Sequence, residues 1–291
     1  MRGELLVDCR NAHGEGVFWA AEHQLLFWTD ITGGRVWIHE PATGQTRSHA
    51  VAGEIGCFAT RKDRPWHDIV AAFKDGFAFV DLRDGIRHDI APIEADLPTT
   101  RLNDGRTDRQ GRFIAGTYNE DGLKPIGSVW RLDPDLTITR LFGGVGCSNG
   151  ACFSADGKTF WFADSGKGDI EAFDYDIATG TPANRRVVAR TKAPGFPDGS
   201  CIDAEGFVWN AVWEGYRVDR YAPDGRLDRS IAIPVRKPTC CAFGGADLST
   251  LYITTSRLGE DDAILAREPT AGGLYAVRPG VTGLADMPFA G

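Results

Sequence analysis

Residues 148–163, S-N-G-A-C-F-S-A-D-G-K-T-F-W-F-A, hold two short apolar runs that are separated by an Asp-Gly pair. A glycine after aspartate, placed between two runs of strand-forming residues, predicts a tight turn and therefore a β-hairpin. One polar residue, Asn149, stands just before the first run and beside a glycine. The same arrangement recurs five more times along the chain. We call the position of Asn149 and of its counterparts the marker position.

The six copies follow one another in steps of 39 to 50 residues. Their marker positions hold Glu15, Glu54, Asp104, Asn149, Asp198 and Pro238. A period of this length, with several strands in each unit, is typical of the blades of a propeller. Each copy also carries a second hairpin, such as S-V-W-R-L-D-P-D-L-T-I-T-R-L at 128–141, which makes four strands per unit. The sequence therefore predicts an all-β protein, a six-bladed β-propeller that occupies residues 1–291 as a single domain.

The two ends of the chain carry a signal for closure of the ring. The run E-L-L-V-D-C at 4–9 has no hairpin partner next to it, and G-L-Y-A-V-R-P at 273–279 ends the last unit early. Pairing of these N- and C-terminal strands in one sheet would join the first and last units and remove an exposed sheet edge. We expect the ring to be closed in this way.

The charge and hydropathy of the chain exclude several classes of partner. There are 32 Lys and Arg against 40 Asp and Glu, a net charge of −8, and the sequence has no run of basic residues. This balance argues against nucleic acid as a partner. No apolar stretch approaches the length of a membrane span, and the N-terminus lacks the apolar core of a secretory signal. We expect a cytoplasmic protein with no membrane contact and no obligate protein partner.

Nitrogen and sulfur side chains are not spaced as metal ligands. Four of the seven cysteines lie three residues after a marker position, which predicts a buried apolar role for them and no disulfide framework. These are Cys57, Cys152, Cys201 and Cys241. The six histidines all lie in the first third of the chain, and we expect surface or turn roles for them. They are His13, His23, His39, His49, His67 and His88.

Oxygen side chains, by contrast, are concentrated at the marker positions. The innermost strands of a propeller converge on one axis, so their matching ends meet around one mouth of the central channel. Five of the six marker residues are carboxylates or a carboxamide. Carboxylates that converge repel one another unless a cation neutralises them, and oxygen ligands suit Ca²⁺, Mg²⁺ or Mn²⁺. The alternative is that each is an ordinary turn residue, because Asp and Asn often precede glycine in turns.

A second polar set lies next to the third marker position. Arg101 and Asn103 precede Asp104, and Glu120 follows the next predicted strand, within reach of the same mouth. Together they offer donors and acceptors that can pair with adjacent hydroxyl groups of a polyol. The alternative is a solvated loop with an incidental ion pair.

Five short motifs in this order resemble those of the gluconolactonase/regucalcin (senescence marker protein) family of six-bladed propellers. They are G-E-G at 14–16, R-x-N-D-G at 101–105, G-T at 116–117, S-N-G at 148–150 and P-D-G at 197–199. The long loop at 256–272 and the G-G-L-Y-A-V ending look like those of the bacterial sugar lactonases of the family.

The resemblance implies an enzyme with one divalent metal ion and a sugar lactone as its substrate. Glu15, Asn149 and Asp198 would ligate the metal, whose identity stays open among Ca²⁺, Zn²⁺, Mg²⁺, Mn²⁺ and Fe²⁺. Arg101, Asn103 and Glu120 would contact the lactone, and Asp198 would also act as the general base. The implied reaction is metal-dependent hydrolysis of a sugar aldonolactone to the free aldonic acid in an oxidative sugar catabolic pathway.

Two other functions stay open on the sequence. One is a propeller esterase or organophosphatase that acts on non-sugar substrates, and the other is a non-catalytic Ca²⁺-binding propeller. Tyr118 stands where the family more often has Met, so the rim over the substrate is expected to differ. Glu54 and Asp104 are further acids that could tune the site, bind a second cation or hydrogen-bond the inner strands.

Overall fold

Residues 1–291 are described by a computed structural model with 24 strands and one short helix. The strands form six antiparallel sheets of four strands each. Blade 1 consists of β2 (Gly14–Ala20), β3 (Leu25–Asp30), β4 (Arg35–Glu40) and β5 (Gln45–Ala50). Blade 2 consists of β6 (Ile55–Thr60), β7 (Asp68–Phe73), β8 (Gly76–Asp81) and β9 (Ile86–Pro92). Blade 3 consists of β10 (Thr100–Thr107), β11 (Phe113–Asn119), β12 (Gly127–Leu132) and β13 (Ile138–Val145).

The remaining three blades repeat this order. Blade 4 consists of β14 (Ser148–Phe153), β15 (Thr159–Asp164), β16 (Asp169–Asp176) and β17 (Thr181–Arg190). Blade 5 consists of β18 (Phe196–Ile202), β19 (Val208–Trp213), β20 (Arg217–Tyr221) and β21 (Leu227–Ala232). Blade 6 consists of β22 (Pro238–Gly244), β23 (Thr250–Thr255), β24 (Leu274–Val277) and β1 (Glu4–Val7). The predicted all-β, six-bladed propeller of four-stranded blades is confirmed.

Closure of the ring follows the prediction. Strand β1 pairs antiparallel with β24, with Leu5 opposite Tyr275, so the N-terminal strand becomes the outermost strand of blade 6. Helix α1 (Asp262–Arg267) lies in the long connection between β23 and β24. No helix of the chain is long and apolar enough to span a membrane.

The hydrophobic core lies between neighbouring blades. Because each blade is covered on both faces, inner strands such as β3 (L-L-F-W-T-D) are buried at every residue. Between blades 1 and 2, Phe18 packs edge-on against Phe58 with ring centroids 5.1 Å apart. The four cysteines that follow marker positions are buried, and none of the seven cysteines is in a disulfide. Their predicted role as small apolar residues is confirmed.

The C-terminal segment 285–291 closes the end of the channel opposite the marker positions. Phe289 is fully buried, and its backbone N–H donates to the carbonyl oxygen of Thr60 at 2.8 Å. The Asp286 carboxylate lies 3.2 Å from the guanidinium of Arg106. That guanidinium lies in the channel, because it also donates to the carbonyl oxygens of Val17 on β2 and Ser200 on β18. The segment is thus anchored by an ion pair between a buried arginine and a half-buried aspartate.

Replacing Asp286 with Asn is expected to lower the free energy of unfolding by about 3 kcal/mol, because it leaves a buried guanidinium without its partner. Urea denaturation would measure the loss. The matched control is Asp247→Asn, which removes an exposed carboxylate from its ion pair with Arg278 and should leave the urea midpoint almost unchanged. Equal midpoints for the two variants would contradict the anchoring role.

Candidate active site

Each innermost strand is irregular at its marker position. The pairing of β2 with β3 shifts register between Glu15 and Phe18, and that of β14 with β15 shifts between Asn149 and Cys152. Corresponding shifts occur in the other four blades. A glycine with positive φ follows two of the marker residues, Gly16 at 57° and Gly150 at 67°. Such β-bulges re-aim side chains, so the bulge explains how the marker side chains leave the sheet and enter the channel mouth.

Two marker carboxyls meet at this mouth. Glu15 and Asp198 are buried side by side, close enough for each carboxyl to perturb the ionisation of the other. Burial, together with the neighbouring carboxylate of Asp104, raises the pKa of Glu15 to about 8. Burial and the Glu15 carboxylate raise the pKa of Asp198 well above its usual range. The pair therefore holds a proton at neutral pH in the absence of a cation.

Asn149 adds a third oxygen beside this pair. Its Oδ1 accepts a hydrogen bond from Asn103 Nδ2 at 3.1 Å, and its Nδ2 donates to Ser165 Oγ at 2.8 Å. These two bonds fix the orientation of the amide, so that the oxygen is the side-chain atom left to act as a ligand. An amide oxygen accepts twice, so Oδ1 keeps one lone pair for that role.

The donor set fits a divalent cation. Two buried carboxyls in contact are a costly arrangement, which a dication would relieve by replacing the shared proton. Two carboxylates and an amide oxygen suit a hard cation that keeps open positions for water or substrate. No group of three or more His, Cys, Asp or Glu side chains in the chain is arranged to hold a metal ion. A metal centre here therefore depends on Asn149 as its third ligand.

The three residues of the predicted sugar-binding set lie together but in different surroundings. Arg101 is buried in the wall of the cavity, where its Nη1 donates to Asn103 Oδ1. Its Nε lies 3.3 Å from Glu120 Oε1, and its guanidinium lies 5.0 Å from the centre of the Tyr118 ring. Asn103 lines the cavity and links Arg101 to Asn149. Tyr118, at the position where Met was the more usual expectation, thus places an aromatic ring beside Arg101.

Glu120 does not line the cavity. It lies at the rim, where its Oε2 accepts from Lys74 Nζ at 2.8 Å, and Arg101 and Lys74 hold it from two sides. The sequence identified the neighbourhood of Glu120 but could not show that the cationic side chains of Lys74 and Arg101 use both of its carboxylate oxygens. Glu120 is placed to orient Arg101.

The two other marker acids, Asp104 and Glu54, lie in different surroundings. Asp104 is buried, and its Oδ2 accepts from the backbone N–H of Ala151 at 3.0 Å, so it hydrogen-bonds strand β10 to β14. Burial raises the pKa of Asp104. Glu54 precedes β6, lies 3.9 Å from Lys74 Nζ and does not line the cavity.

The mouth forms a cavity of about 250 Å³ with a polar floor and an apolar rim. Leu123, Phe196 and Leu258 line it and are more than 40% exposed, so they surround its entrance. The residues of the cavity wall that the sequence did not identify are His13, Leu123, Cys147, Ser165, Phe196, Trp213 and Leu258. Three of these seven, His13, Cys147 and Phe196, lie two residues before a marker position. The other four lie in or next to loops that meet only in the closed ring, so sequence spacing carries no signal for them.

The predicted surface or turn role is wrong for His13. The side chain is only 7% exposed and lines the cavity, two residues before Glu15. Burial, with the cations Arg101 and Lys237 nearby, lowers the pKa of His13 to about 3. The imidazole is therefore neutral, and its position just before G-E-G was the one available signal. His39 is also buried, on the outer part of blade 1.

Known proteins are similar to this chain in both sequence and fold. Residues 13–257 match the family model described as the SMP-30/Gluconolactonase/LRE-like region. An L-arabinolactonase of Azospirillum brasilense is 38% identical, over 99% of this chain and 95% of its own length. A regucalcin of Xenopus laevis is 37% identical, over 96% of this chain and 95% of its own length. The solved structure of a calcium-binding regucalcin from Agrobacterium tumefaciens superposes with a TM-score of 0.92 at 30% identity, covering 99% of this chain and 97% of its own.

Proposed function

The chain belongs to the SMP-30/gluconolactonase/LRE-like family, and on that premise we propose that it is a lactonase that hydrolyses a sugar aldonolactone to the free aldonic acid. The observation that carries the proposal is the union in one cavity of the Glu15–Asp198 carboxyl pair with the Arg101–Asn103 pair. The carboxyl pair suits activation of a water molecule, and the Arg101–Asn103 pair suits binding of a polyhydroxylated ring. The similarity to an L-arabinolactonase supports the same reaction class.

We propose that a divalent cation completes the site. Glu15, Asn149 and Asp198 would hold it through their side-chain oxygens. When bound, a divalent ion at this position would supply Lewis-acid polarisation of the lactone carbonyl. The calcium-binding description of the similar solved regucalcin supports a cation at this fold, and it leaves the choice among Ca²⁺, Zn²⁺, Mg²⁺, Mn²⁺ and Fe²⁺ open.

The chain's own residues carry the proton transfers. A carboxylate oxygen of Asp198 takes a proton from water as the water oxygen bonds to the carbonyl carbon of the lactone. The bond between that carbon and the ring oxygen then breaks, and the protonated Asp198 returns its proton to the leaving ring oxygen. Arg101 holds the ring hydroxyls, while Asn103 and Glu120 hold Arg101, so that the carbonyl is presented to the attacking water. The product is an open-chain aldonic acid, whose carboxyl group then releases its proton to solvent to give the carboxylate.

Arg101→Ala is expected to raise KM for the best lactone about 10- to 100-fold, with a smaller change in kcat. The reason is that Arg101 binds substrate in the ground state and in the transition state alike, through charge-assisted hydrogen bonds. Steady-state kinetics on a panel of aldonolactones would measure both constants. Arg101→Lys keeps the charge but loses the planar guanidinium, so its KM should lie between those of the wild type and Arg101→Ala. A loss confined to kcat would contradict this role.

We propose, from the reaction class, that the protein acts in an oxidative sugar pathway. Aldonolactones arise when an aldose is oxidised at its carbonyl carbon, so an aldose-oxidising enzyme must supply the substrate. An enzyme that acts on free aldonic acids must consume the product.

The apolar rim favours a second candidate, an esterase that acts on hydrophobic lactones or aryl esters. Leu123, Phe196 and Leu258 would contact an apolar substituent. A pH-drop assay with sugar lactones beside aryl esters, run with and without each metal ion, distinguishes the two. Faster turnover of the aryl esters would overturn the sugar assignment. Tight Ca²⁺ binding without acceleration of any substrate would indicate a binding protein instead.

A further inference from the structure

His13 forms part of a rigid wall of the cavity. Its backbone N–H donates to Asp30 Oδ1 at 2.8 Å, and its carbonyl oxygen accepts from the N–H of Ile31 at 2.9 Å. The ring meets the Trp213 ring edge-on, with centroids 5.7 Å apart and planes at 89°. A buried side chain held at both backbone groups and on one ring edge has a fixed direction, as a group that recognises a ligand requires.

One ring nitrogen of His13 is occupied by the protein. Nδ1 lies 2.9 Å from Ser256 Oγ. That hydroxyl accepts from the N–H of Leu258 at 3.0 Å and donates to the carbonyl oxygen of Ala12 at 3.2 Å. We assign the single hydroxyl hydrogen to the carbonyl of Ala12, which makes Nδ1 the donor to Ser256 and leaves the lone pair on Nε2. Nε2 makes no hydrogen bond within the protein, so it is the ring nitrogen left for a molecule in the cavity.

The rest of this wall is apolar and clamped in place. Lys237 Nζ donates to the carbonyl oxygen of Leu258 at 2.6 Å, pairs with Glu260 at 2.9 Å and lies 4.8 Å from the centre of the Trp213 ring. Glu260 and Lys237 are buried, with side chains at most 5% exposed. The ion pair therefore holds the loop that carries Leu258 against Trp213. On this wall of Trp213 and Leu258, Nε2 of His13 stands as an isolated acceptor.

We propose that His13 is a specificity-determining residue, whose Nε2 accepts a hydrogen bond from one hydroxyl of the lactone ring. The inference rests on the proposed lactonase function and deepens it, because it identifies the part of the substrate that is selected. A lactone with a hydroxyl at that place satisfies the buried acceptor. A lactone that lacks the hydroxyl, or carries it in the opposite configuration, leaves Nε2 unpaired among apolar groups.

The test uses pairs of lactones that differ in one hydroxyl, by its removal or by its inversion. Wild-type protein, loaded with the most activating divalent ion, identifies the pair with the largest ratio of kcat/KM. His13→Leu, which keeps the volume and removes the acceptor, is expected to lower kcat/KM of the preferred member roughly 10- to 100-fold and the other member little, mainly through KM. His13→Gln, whose amide oxygen can accept at a similar distance, should keep part of the preference and serves if the Leu variant does not fold.

The matched control is His39→Leu. His39 is a buried histidine whose Nδ1 lies 2.8 Å from a hydroxyl, Thr46 Oγ1, as Nδ1 of His13 does, but it does not line the cavity. For His39→Leu, the ratio of kcat/KM between the two lactones of the chosen pair should equal that of the wild type. A wild-type protein that discriminates within no pair, or a ratio that His13→Leu leaves unchanged, would overturn the inference.

A second readout separates this inference from the proposed function. If wild-type protein hydrolyses no lactone, the proposed function fails. The same pairs are then compared as open-chain sugar acids by calorimetry. A binding preference that is lost in His13→Leu supports the role of His13 without catalysis. An unchanged preference, or no binding of any sugar acid, overturns it.

Discussion

Replacing Asp198 with Asn is expected to lower kcat for lactone hydrolysis by about a hundredfold or more, the usual scale for loss of a general base. The Asn side chain has the same shape, but its amide cannot take a proton from water at neutral pH. Because Asp198 is buried against Glu15, removing its charge also relieves repulsion, so the variant should not be less stable than the wild type. Stopped assays of acid release would measure kcat, and thermal unfolding would verify the fold.

Asp156→Asn is the matched control for this variant. Asp156 also precedes glycine, but it lies in the exposed turn of the blade 4 hairpin, where its Oδ1 accepts from Ser154 Oγ and from the N–H of Lys158. Its kcat should stay within about twofold of the wild type. Asp198→Asn with kcat near the wild-type value would exclude Asp198 as the base. Activity that returns at a higher metal concentration would assign Asp198 to cation binding alone.

Removal of divalent ions is expected to abolish lactone hydrolysis, and re-addition of one of the five candidate ions should restore it. The reason is that the metal-free pair of Glu15 and Asp198 holds a proton at neutral pH, so the base is neutralised. The measurement is the lactonase rate after exhaustive chelation and dialysis, then after titration with each ion. Full activity in the chelated protein would exclude a metal-dependent mechanism.

Stability gives an independent readout of the same site. In the metal-free protein the pKa of Glu15 is about 8, against 4.5 as its ordinary value. Between these values the folded chain keeps a proton that the unfolded chain has lost, so this contribution to stability is present below pH 4.5 and is lost as the pH rises through 8. A bound dication replaces the proton, so the rise in Tm on adding the ion should be larger at pH 8 than at pH 5. Glu15→Gln should show a smaller dependence of both kinds, because only Asp198 of the pair then keeps a raised pKa.

The marker positions were predictable because they repeat. A carboxylate such as Asp198 carries no signal alone, since Asp-Gly is a common turn, but its alignment with Glu15 and Asn149 places all three at one mouth of a ring. The alignment works because a bulge occurs at or next to the marker position of each inner strand. The blade count and the closing pair of strands follow from the same repeat.

Two features of the site could not be predicted from the sequence. His13 is not itself a marker residue, and its partner Ser256 is 243 residues away, so only the closed ring brings them together. Glu120 was placed correctly near the mouth. However, its separation from the cavity depends on Lys74, which comes from the neighbouring blade, and no periodicity links these two residues.

The bulges at the marker positions separate the chemistry of the protein from its architecture. A side chain at a bulge stands outside the alternation of inward and outward residues, so it can point to the channel mouth while the rest of its strand keeps its buried pattern. Three of the six positions, those of Glu15, Asn149 and Asp198, use this freedom to line the cavity. Pro238, at the bulge of blade 6, is the one marker residue without an oxygen side chain, so blade 6 contributes no marker ligand to the mouth.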